Sequence, residues 1–406
     1  MSPAMGWTPT QLGYCGNVHP AHDLAALRAS IAGPFQAVRR QRGLQRQDSG
    51  LWVSAQAAAE LQQPAARAAF LALLRDSGLR LTSLNGFPYG RFHGDEVKAA
   101  VYRPDWSQPQ RLDYSLQLAG LLAAALPEDC DEGVISSVPL GYAADWTDER
   151  QARAEAHLLQ LTAALAELKH GTGKTIRLCL EMEPDCVLER TDQALAFFAH
   201  WQALDPNHAH LALCFDVCHQ AVLFEDCHAA LSRLHQAGIV IGKIQLSNAL
   251  VCRLPGDEQR RDQVLDVLAG FAEGTYLHQV KARHRSGQLL AWADLPAALL
   301  DPALAGCSEL RVHFHVPLFS ERFQLPELGG SQQALGRVFE YLAQHPDLRP
   351  VLEVETYSWM VLPEALRPGS EPAMSRGIAA ELEWVEAQLQ RHGALAGEPL
   401  REVQHA

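Results

Sequence analysis

The stretch Leu211-Ala-Leu-Cys-Phe-Asp-Val-Cys-His219 decides the fold. Its apolar residues predict a strand buried on both faces, and such strands occur in parallel sheets that helices cover on both sides. The run breaks at Asp216, and His219 follows on the loop just beyond it. In parallel α/β folds, reacting groups lie where such strands end. A single Asp after a strand is also typical of a helix N-cap, so Asp216 alone leaves both interpretations open.

The same alternation of apolar strands and amphipathic helices recurs along the whole chain. It predicts an α/β fold, a single-domain (β/α)8 TIM barrel, because parallel strands need crossover helices. Two short segments predict a β-hairpin near 275–293, within an insertion of about 253–295. A last helix is predicted at 375–392. The candidate strands are residues 12–15, 51–53, 81–85, 134–138, 176–180, 211–216, 240–246, 310–315 and 350–355. Nine exceed the eight of a barrel, so one of the last three is expected to lie outside it.

Composition limits the classes of function. The chain has 406 residues, 48% of them hydrophobic and 20% charged, which is typical of a globular enzyme. Its net charge of −13 argues against nucleic acid as a partner, because binding phosphates requires a basic surface. The longest apolar run is too short to span a bilayer, and no basic segment followed by an apolar one begins the chain. We therefore expect a cytoplasmic protein without a membrane span.

Polar side chains stand at the predicted ends of several strands, and these ends meet at one mouth of a barrel. Oxygen and imidazole donors from separate strands favour a divalent cation such as Mn²⁺, Zn²⁺, Mg²⁺ or Fe²⁺. Without a cation, the crowded carboxylates would repel one another and take up protons. The candidate metal ligands are Glu181, Asp216, Gln245, His315 and Glu353. Glu181, Glu353 and His219 are the candidate catalytic residues.

A second group of residues is expected to contact the substrate or to support the metal ligands. Three members stand two positions from a candidate ligand, so that both side chains share one strand face. The group consists of Glu183, Glu355, His313, His19, His93 and Asn85. Structural roles stay open: Glu183 and Glu355 also fit loop residues that hold an arginine, and His313 fits a hydrogen-bonded residue deeper in the barrel. His19 and His93 individually fit structural positions.

These motifs resemble a known superfamily. The endings Leu-Glu181, Phe-Asp216-Val-Cys-His219, Ile-Gln245-Leu-Ser-Asn248, His313-Phe-His315 and Leu-Glu353 are similar to those of xylose isomerase-like TIM barrels, which include sugar isomerases, epimerases and endonuclease IV. The chain more closely resembles the EboE family of metabolite traffic proteins encoded in ebo clusters. The stretches that carry this likeness begin at Tyr14, Asn85, Val101, Val138, Val312 and Glu353.

The resemblance implies a metal-dependent barrel in a pathway that makes or moves a small metabolite, with other ebo-cluster proteins as possible partners. By resemblance, Glu181, Asp216 and Glu353 match the metal carboxylates of the superfamily, and His219 matches the imidazole paired with the Asp. Gln245 departs from the pattern, because the seventh strand usually carries His there. Either His315 takes that place or the metal site is altered.

Three classes of function are compatible with these features. The first is isomerisation or epimerisation of a small polyhydroxylated or sugar-phosphate-like molecule, with the metal acidifying a C–H bond between two bound oxygens. The second is metal-dependent hydrolysis of a phosphoester. The third is a barrel that binds and transfers a metabolite without catalysis, which the Gln245 substitution favours slightly. Metal binding separates the two enzyme classes from the third.

Overall fold

The computed structural model describes residues 6–94 and 96–396. The first seven strands along the chain all belong to one parallel sheet. Every residue of the sixth strand is buried, as its apolar run predicts. The one charged residue of this strand, Asp216, stands at its carboxyl end. The strands are β1 (Gly13–Tyr14), β2 (Gln47–Trp52), β3 (Leu79–Asn85), β4 (Glu132–Ser137), β5 (Thr175–Glu181), β6 (Leu211–Asp216) and β7 (Ile241–Leu246).

Helices connect these strands and pack against the sheet, as predicted for a parallel fold. Their ends carry ordinary stop and start signals: the Thr147 hydroxyl caps one helix, which ends at Gly173 with φ of 73°. The helices are α1 (Leu24–Ser30), α2 (Gln36–Gln41), α3 (Ala55–Glu60), α4 (Pro64–Asp76), α5 (Pro109–Ala125), α6 (Asp148–Thr172), α7 (Thr191–Leu204), α8 (Val217–Val222) and α9 (Cys227–Gln236).

A second, antiparallel sheet follows β7. It is formed by β8 (Ala249–Arg253), β9 (Val280–His284), β10 (Leu289–Trp292), β11 (Cys307–His315) and β12 (Leu328–Gly330), in the order β10-β9-β11-β8-β12. Helices α10 (Glu258–Ala269) and α11 (Leu295–Leu300) lie between its strands in sequence. Strands β9 and β10 form the predicted hairpin. The sheet extends beyond 253–295, and the predicted strand at 310–315 belongs to it, so that segment is the one outside the barrel.

The last elements complete the barrel. They are α12 (Gln332–Gln344), β13 (Val351–Val354) and α13 (Glu371–Arg391). Strand β13 pairs in parallel with β7 and with β1, so that Glu353 stands opposite both Gln245 and Gly13. On the other side, a bridge between Cys15 and Gly50 joins the end of β1 to β2. Eight parallel strands thus form a nearly closed barrel, which confirms the predicted fold and brings the strand ends to one rim.

The apolar core is continuous between the barrel and the second sheet. Leu213 and Ile244 of the barrel belong to the same buried cluster as Leu250 and Leu310 of the second sheet. Shared burial of this kind holds the second sheet against the barrel. Across residues 6–94 and 96–396, no helix combines the length and the apolarity that crossing a bilayer requires.

Candidate functional site

The rim at the carboxyl ends of the strands surrounds a cavity of about 60 Å³. Its polar lining comes from the loops after β1, β3, β5 and β13, from α8, and from β11 of the second sheet. Polar side chains facing it are Asn17, Asn85, Lys98, Glu181, Glu183, His219, His313, His315 and Glu355. The cavity therefore combines donors from the barrel with two imidazoles that the second sheet supplies.

Three carboxylates converge beneath this cavity. One oxygen each from Glu181, Asp216 and Glu355 lies within 4.8 Å of the other two, and all three side chains are buried. Burial, and then the negative charge of its neighbours, raises the pKa of Glu181 well above its usual value, and the same two causes act on Glu355. Glu181 Oε2 and Asp216 Oδ2 are buried, and neither has a hydrogen-bond partner within residues 6–94 and 96–396. Three carboxylates this close together repel one another, and a bound cation would offset that repulsion.

Asp216 caps a helix and also faces the site, so the two interpretations left open by the sequence apply to the same side chain. Its Oδ1 accepts hydrogen bonds from the His219 backbone N–H at 3.0 Å and from the Ser247 hydroxyl at 2.7 Å. Burial raises the pKa of Asp216, but His219, His315 and these hydrogen bonds outweigh it, and the net pKa is lowered. The remaining oxygen, Oδ2, stays available as a ligand.

His315 joins the carboxylates from the second sheet. Its Nδ1 lies 2.7 Å from the backbone oxygen of Glu355 and must donate to it, because a carbonyl only accepts. The proton is thereby fixed on Nδ1, and Nε2 keeps its lone pair, buried and without a partner. One ring nitrogen of His315 lies within 4.8 Å of ligand atoms of Asp216 and His219. Burial lowers its pKa to about 4, so the ring is neutral near pH 7 and suited to bind a metal.

His219 and His313 face each other with the same nitrogen, Nε2, at 3.0 Å. Nδ1 of His219 donates to the backbone oxygen of Met182 at 2.7 Å. Nδ1 of His313 lies 2.7 Å from Gln279 Oε1, and the amide orientation is fixed because Gln279 Nε2 donates to the carbonyl of Pro184. Both rings therefore carry their protons on Nδ1. With these tautomers the two Nε2 lone pairs face each other, and burial together with the neighbouring imidazoles lowers the pKa of His313 well below its usual value.

Glu183 lies beside this histidine pair. Its Oε1 accepts the Tyr102 hydroxyl at 2.7 Å and lies 3.7 Å from His313 Nδ1, while Oε2 is buried without a partner. Burial raises the pKa of Glu183 to about 7. A carboxyl group with this pKa takes up and releases a proton near neutral pH, which is the property that general acid–base catalysis requires.

Two of the expected metal ligands make other contacts. Glu353 forms an ion pair with the Lys243 ammonium group inside the barrel, and its carboxylate lies over Gly50, where a Cβ atom would come within 1.7 Å of Oε1. Gln245 Oε1 accepts a hydrogen bond from the Cys214 thiol at 3.0 Å. The structure therefore places Glu355, two residues beyond Glu353, in the carboxylate group.

The remaining expected residues occupy supporting positions. Asn85 Nδ2 donates to Glu355 Oε1 at 3.3 Å, and half-buried His93 contacts the Asn17 backbone oxygen at 2.7 Å. His19 lies behind the rim, where its Nε2 meets the Tyr14 hydroxyl at 2.9 Å, and burial lowers its pKa to about 3.

Sequence reasoning did not select Asn17, whose side chain donates to Glu355 Oε1 at 2.7 Å. A signal was available, because Asn17 follows the first strand as the other polar residues follow theirs. Tyr102 and Gln279, which orient Glu183 and His313, had no comparable signal. Tyr102 lies in the connection between β3 and α5, and Gln279 directly precedes β9 of the second sheet.

Comparisons with known proteins agree with this architecture. No family model matches the chain, and no curated protein sequence matches it. A xylose isomerase-like TIM barrel protein from Mycobacterium smegmatis in complex with magnesium is similar in structure, with a TM-score of 0.51 and 12% identity over 96% of this chain and 100% of that chain. D-allulose 3-epimerase from Methylomonas sp. in complex with D-allulose gives a TM-score of 0.48 and 13% identity over 95% of this chain and 99% of that chain.

The fold class is therefore a xylose isomerase-like TIM barrel. At 12% identity the likeness establishes the fold and leaves the reaction to be argued from the site. The expected EboE relationship finds no support in these comparisons.

Proposed function

We propose that this chain is a divalent-cation-dependent enzyme that isomerises or epimerises a small polyhydroxylated molecule. The observation that carries the proposal is the convergence of Glu181, Asp216 and Glu355 within 4.8 Å, where Glu181 and Asp216 each have a buried oxygen without a partner among the described residues. His315 supplies a neutral nitrogen donor within 4.8 Å of an Asp216 oxygen. These four side chains are the proposed cation ligands.

The donor set fits a divalent cation on chemical grounds. Carboxylate oxygens with one imidazole nitrogen suit Mn²⁺, Zn²⁺, Mg²⁺ or Fe²⁺. The raised pKa values of Glu181 and Glu355 reflect the cost of holding several negative charges in a buried site. A bound cation removes that cost. Asn17 and Asn85 both donate to Glu355 Oε1, so they orient this carboxylate toward the group.

A cation at this position would bind two adjacent oxygens of a substrate and acidify the C–H bond between them. The side chains around it move the proton. Glu183, with a pKa of about 7 and one oxygen facing no partner, is the proposed proton acceptor. The facing Nε2 lone pairs of His219 and His313 are proposed to accept a hydrogen bond from a substrate hydroxyl. Glu181, Glu353 and His219 are the candidate catalytic residues from the sequence, and this proposal puts Glu183 in place of Glu353.

Cation affinity tests the first part of the proposal. We expect Mn²⁺ to bind the purified wild-type chain in calorimetry, and the variants Asp216→Asn and Glu355→Gln to bind at least about 100-fold more weakly, because each removes a charged ligand. Glu383→Gln is the matched control, since Glu383 is exposed on α13. Equal Mn²⁺ affinity in all four proteins would contradict the ligand assignment.

Proton transfer tests the second part. The Mn²⁺-loaded enzyme is incubated in D₂O with a panel of ketoses and cyclitols, and deuterium at carbon is measured by NMR. We expect exchange in the wild type and its loss in Glu183→Gln, which retains the size of the side chain but accepts no proton. Hydrolysis of phosphoesters without exchange at carbon would overturn the proposal in favour of a hydrolase.

The resemblance to EboE extends the proposal to a biological setting. We propose that the substrate is an intermediate in a metabolite pathway of the ebo type, and that enzymes encoded nearby make or consume it. The test is metabolite profiling after deletion of the gene. Accumulation of a polyhydroxylated intermediate is the expected result, and an unchanged profile would count against this setting.

A further inference from the structure

One wall of the cavity is built from three aromatic rings, Phe92, Tyr276 and Tyr357, which we call the aromatic triad. Their ring centroids are 4.9 Å apart for Phe92 and Tyr276, 5.6 Å for Phe92 and Tyr357, and 5.0 Å for Tyr276 and Tyr357. The Tyr357 ring also lies 4.7 Å from the ring of His315. An apolar surface therefore begins directly beside a proposed cation ligand.

Hydrogen bonds hold this wall in place. The Tyr276 hydroxyl lies 3.0 Å from His93 Nδ1, and His93 Nε2 lies 2.7 Å from the Asn17 backbone oxygen. Because that carbonyl only accepts, His93 carries its proton on Nε2 and accepts the Tyr276 hydroxyl at Nδ1. Asn17 in turn donates to Glu355. The triad is thus tied to the carboxylate group through a continuous network, and its rings are oriented before a ligand arrives.

The charges around the cavity disfavour an anionic substituent. Glu181, Glu183 and Glu355 line it, and Lys98 is a basic residue on the same lining. The Lys98 ammonium group donates to Asp294 Oδ2 at 2.7 Å and to the Tyr276 backbone oxygen at 2.7 Å, with the Glu273 backbone oxygen at 3.4 Å. These three acceptors use its three N–H bonds, and Asp294 neutralises its charge.

Apolar lining extends the triad away from the carboxylates. Phe87, Pro88, Val97, Val101 and Leu277 face the same cavity. A ligand that places two oxygens at the carboxylate group therefore has aromatic and aliphatic side chains next to the rest of its structure. Burying a ring or an alkyl group against them is favourable in proportion to the apolar area removed from water.

On the basis of the proposed function, we propose that the aromatic triad is a subsite for an uncharged apolar substituent, a ring or an alkyl group, carried by the substrate next to its two cation-bound oxygens. The substrate class is then a neutral polyol derivative with one apolar group. A negatively charged substituent at the same position binds more weakly, because Glu183 lines the same cavity without being a cation ligand and the Lys98 ammonium group is already paired with Asp294.

Three diols that differ in one substituent test the subsite: 1-phenyl-1,2-ethanediol, glycerol and 2,3-dihydroxypropane-1-sulfonate. Their dissociation constants for the Mn²⁺-loaded full chain are measured by water-proton relaxation. We expect the phenyl diol to bind about tenfold or more tightly than glycerol, since ring burial contributes at least this much, and the sulfonate to bind more weakly than glycerol. Equal affinities for the phenyl diol and glycerol, or tightest binding of the sulfonate, would overturn the proposal.

Variants locate the effect. Phe92→Ala is expected to remove the preference for the phenyl diol while leaving the Mn²⁺ affinity unchanged, and Tyr276→Leu serves as a second variant if Phe92→Ala does not fold. Leu300→Ala is the control, because Leu300 is 85% exposed and outside the cavity lining. A preference that survives both triad variants would assign the ring to another surface and overturn the subsite. Failure of Mn²⁺ to bind the wild type would instead reject the proposed function, and the subsite with it.

Discussion

The ammonium group of Lys243 forms an ion pair with the carboxylate of Glu353 in the interior of the barrel, where the two side chains are 0% and 1% exposed. The Ser136 hydroxyl lies 3.3 Å from the same ammonium group. The positive charge of Lys243 also lowers the pKa values of Glu181 and Glu355, although burial outweighs it. The pair therefore places a buried positive charge near the carboxylates that are the proposed cation ligands.

Removal of one partner is expected to destabilise the fold strongly. Lys243→Met leaves the Glu353 carboxylate buried without a counter-charge, and breaking a buried pair in this way costs about 3–5 kcal/mol. The measurement is the free energy of unfolding from urea denaturation of the cation-free protein. The double variant Lys243→Met/Glu353→Leu removes both charges and is expected to recover most of the loss. Equal stability of the single variant and the wild type would show that the pair does not form.

Gly50 is expected to tolerate no side chain. A Cβ atom there would approach Glu353 Oε1 within 1.7 Å, so Gly50→Ala must displace a charged group that Lys243 holds. Overpacking of this kind costs about 1–3 kcal/mol in the free energy of unfolding. The matched control is Gly120→Ala within α5, where a Cβ atom meets nothing within 4 Å. That change is expected to stabilise the protein by about 0.5–1 kcal/mol, because alanine favours a helix more than glycine does. The opposite order would contradict the position of the Glu353 side chain.

Cation binding is expected to stabilise the native state. At a free Mn²⁺ concentration of about 100 times the dissociation constant, the free energy of unfolding rises by about 2.7 kcal/mol, provided that the unfolded chain does not bind Mn²⁺. A chelator should reverse the gain. In Asp216→Asn the gain should disappear, because the variant lacks a charged ligand. Thermal denaturation with and without Mn²⁺ measures the effect, and an identical gain in the variant would place the ion elsewhere.

Glu381 is expected to make stability depend on pH. This buried carboxyl group accepts from the Leu318 backbone N–H at 3.0 Å, the Thr356 hydroxyl at 2.6 Å and Trp359 Nε1 at 3.1 Å. Burial nevertheless raises its pKa from 4.5 to about 7. Between these values the unfolded carboxyl group ionises while the folded one keeps its proton, so stability falls as pH rises.

The size of the effect follows from linkage, at roughly 3 kcal/mol between pH 4.5 and pH 8. Glu381→Gln has no ionisable group at this position, so the stability difference between wild type and variant should change by about that amount. Urea denaturation across the pH range measures it. A difference that stays constant with pH would contradict a raised pKa for Glu381.

The sequence was sufficient to predict the architecture because most barrel strands contain a short apolar run that is followed by a helix pattern. Strand β2 is an exception in extent, since it begins at Gln47 and only residues 51–53 were predicted. Asp216 and Glu181 were identified for the same reason, since each ends a buried strand. The pattern of apolar residues did not show which of the segments 240–246, 310–315 and 350–355 lies outside the barrel. Antiparallel pairing of β11 with β8 and β9 depends on contacts distant in sequence, and periodicity carries no information about such partners.

The alternation of side chains along β13 does not show whether Glu353 or Glu355 reaches the carboxylate group at the rim. Both side chains share one strand face, but β13 ends at Val354, so Glu353 lies within the barrel and Glu355 lies beyond the strand. The depth of each position depends on the register with β7 and on the space above Gly50. His315 was expected near the rim and lines the cavity, although its strand belongs to the second sheet and is interrupted by a bulge between Val312 and His315.

The connection from β7 to β13 has a consequence for how the chain folds. Gly13 pairs with Glu353, and the whole second sheet is synthesised between β7 and its neighbour β13. During synthesis one edge of β1 therefore stays unpaired until residues 351–354 have been made. Open edges of this kind recruit strands from other molecules. Chains truncated before β13 should accordingly associate and precipitate. Pairing of the four-residue strand β13 with β1 and β7 covers these open edges.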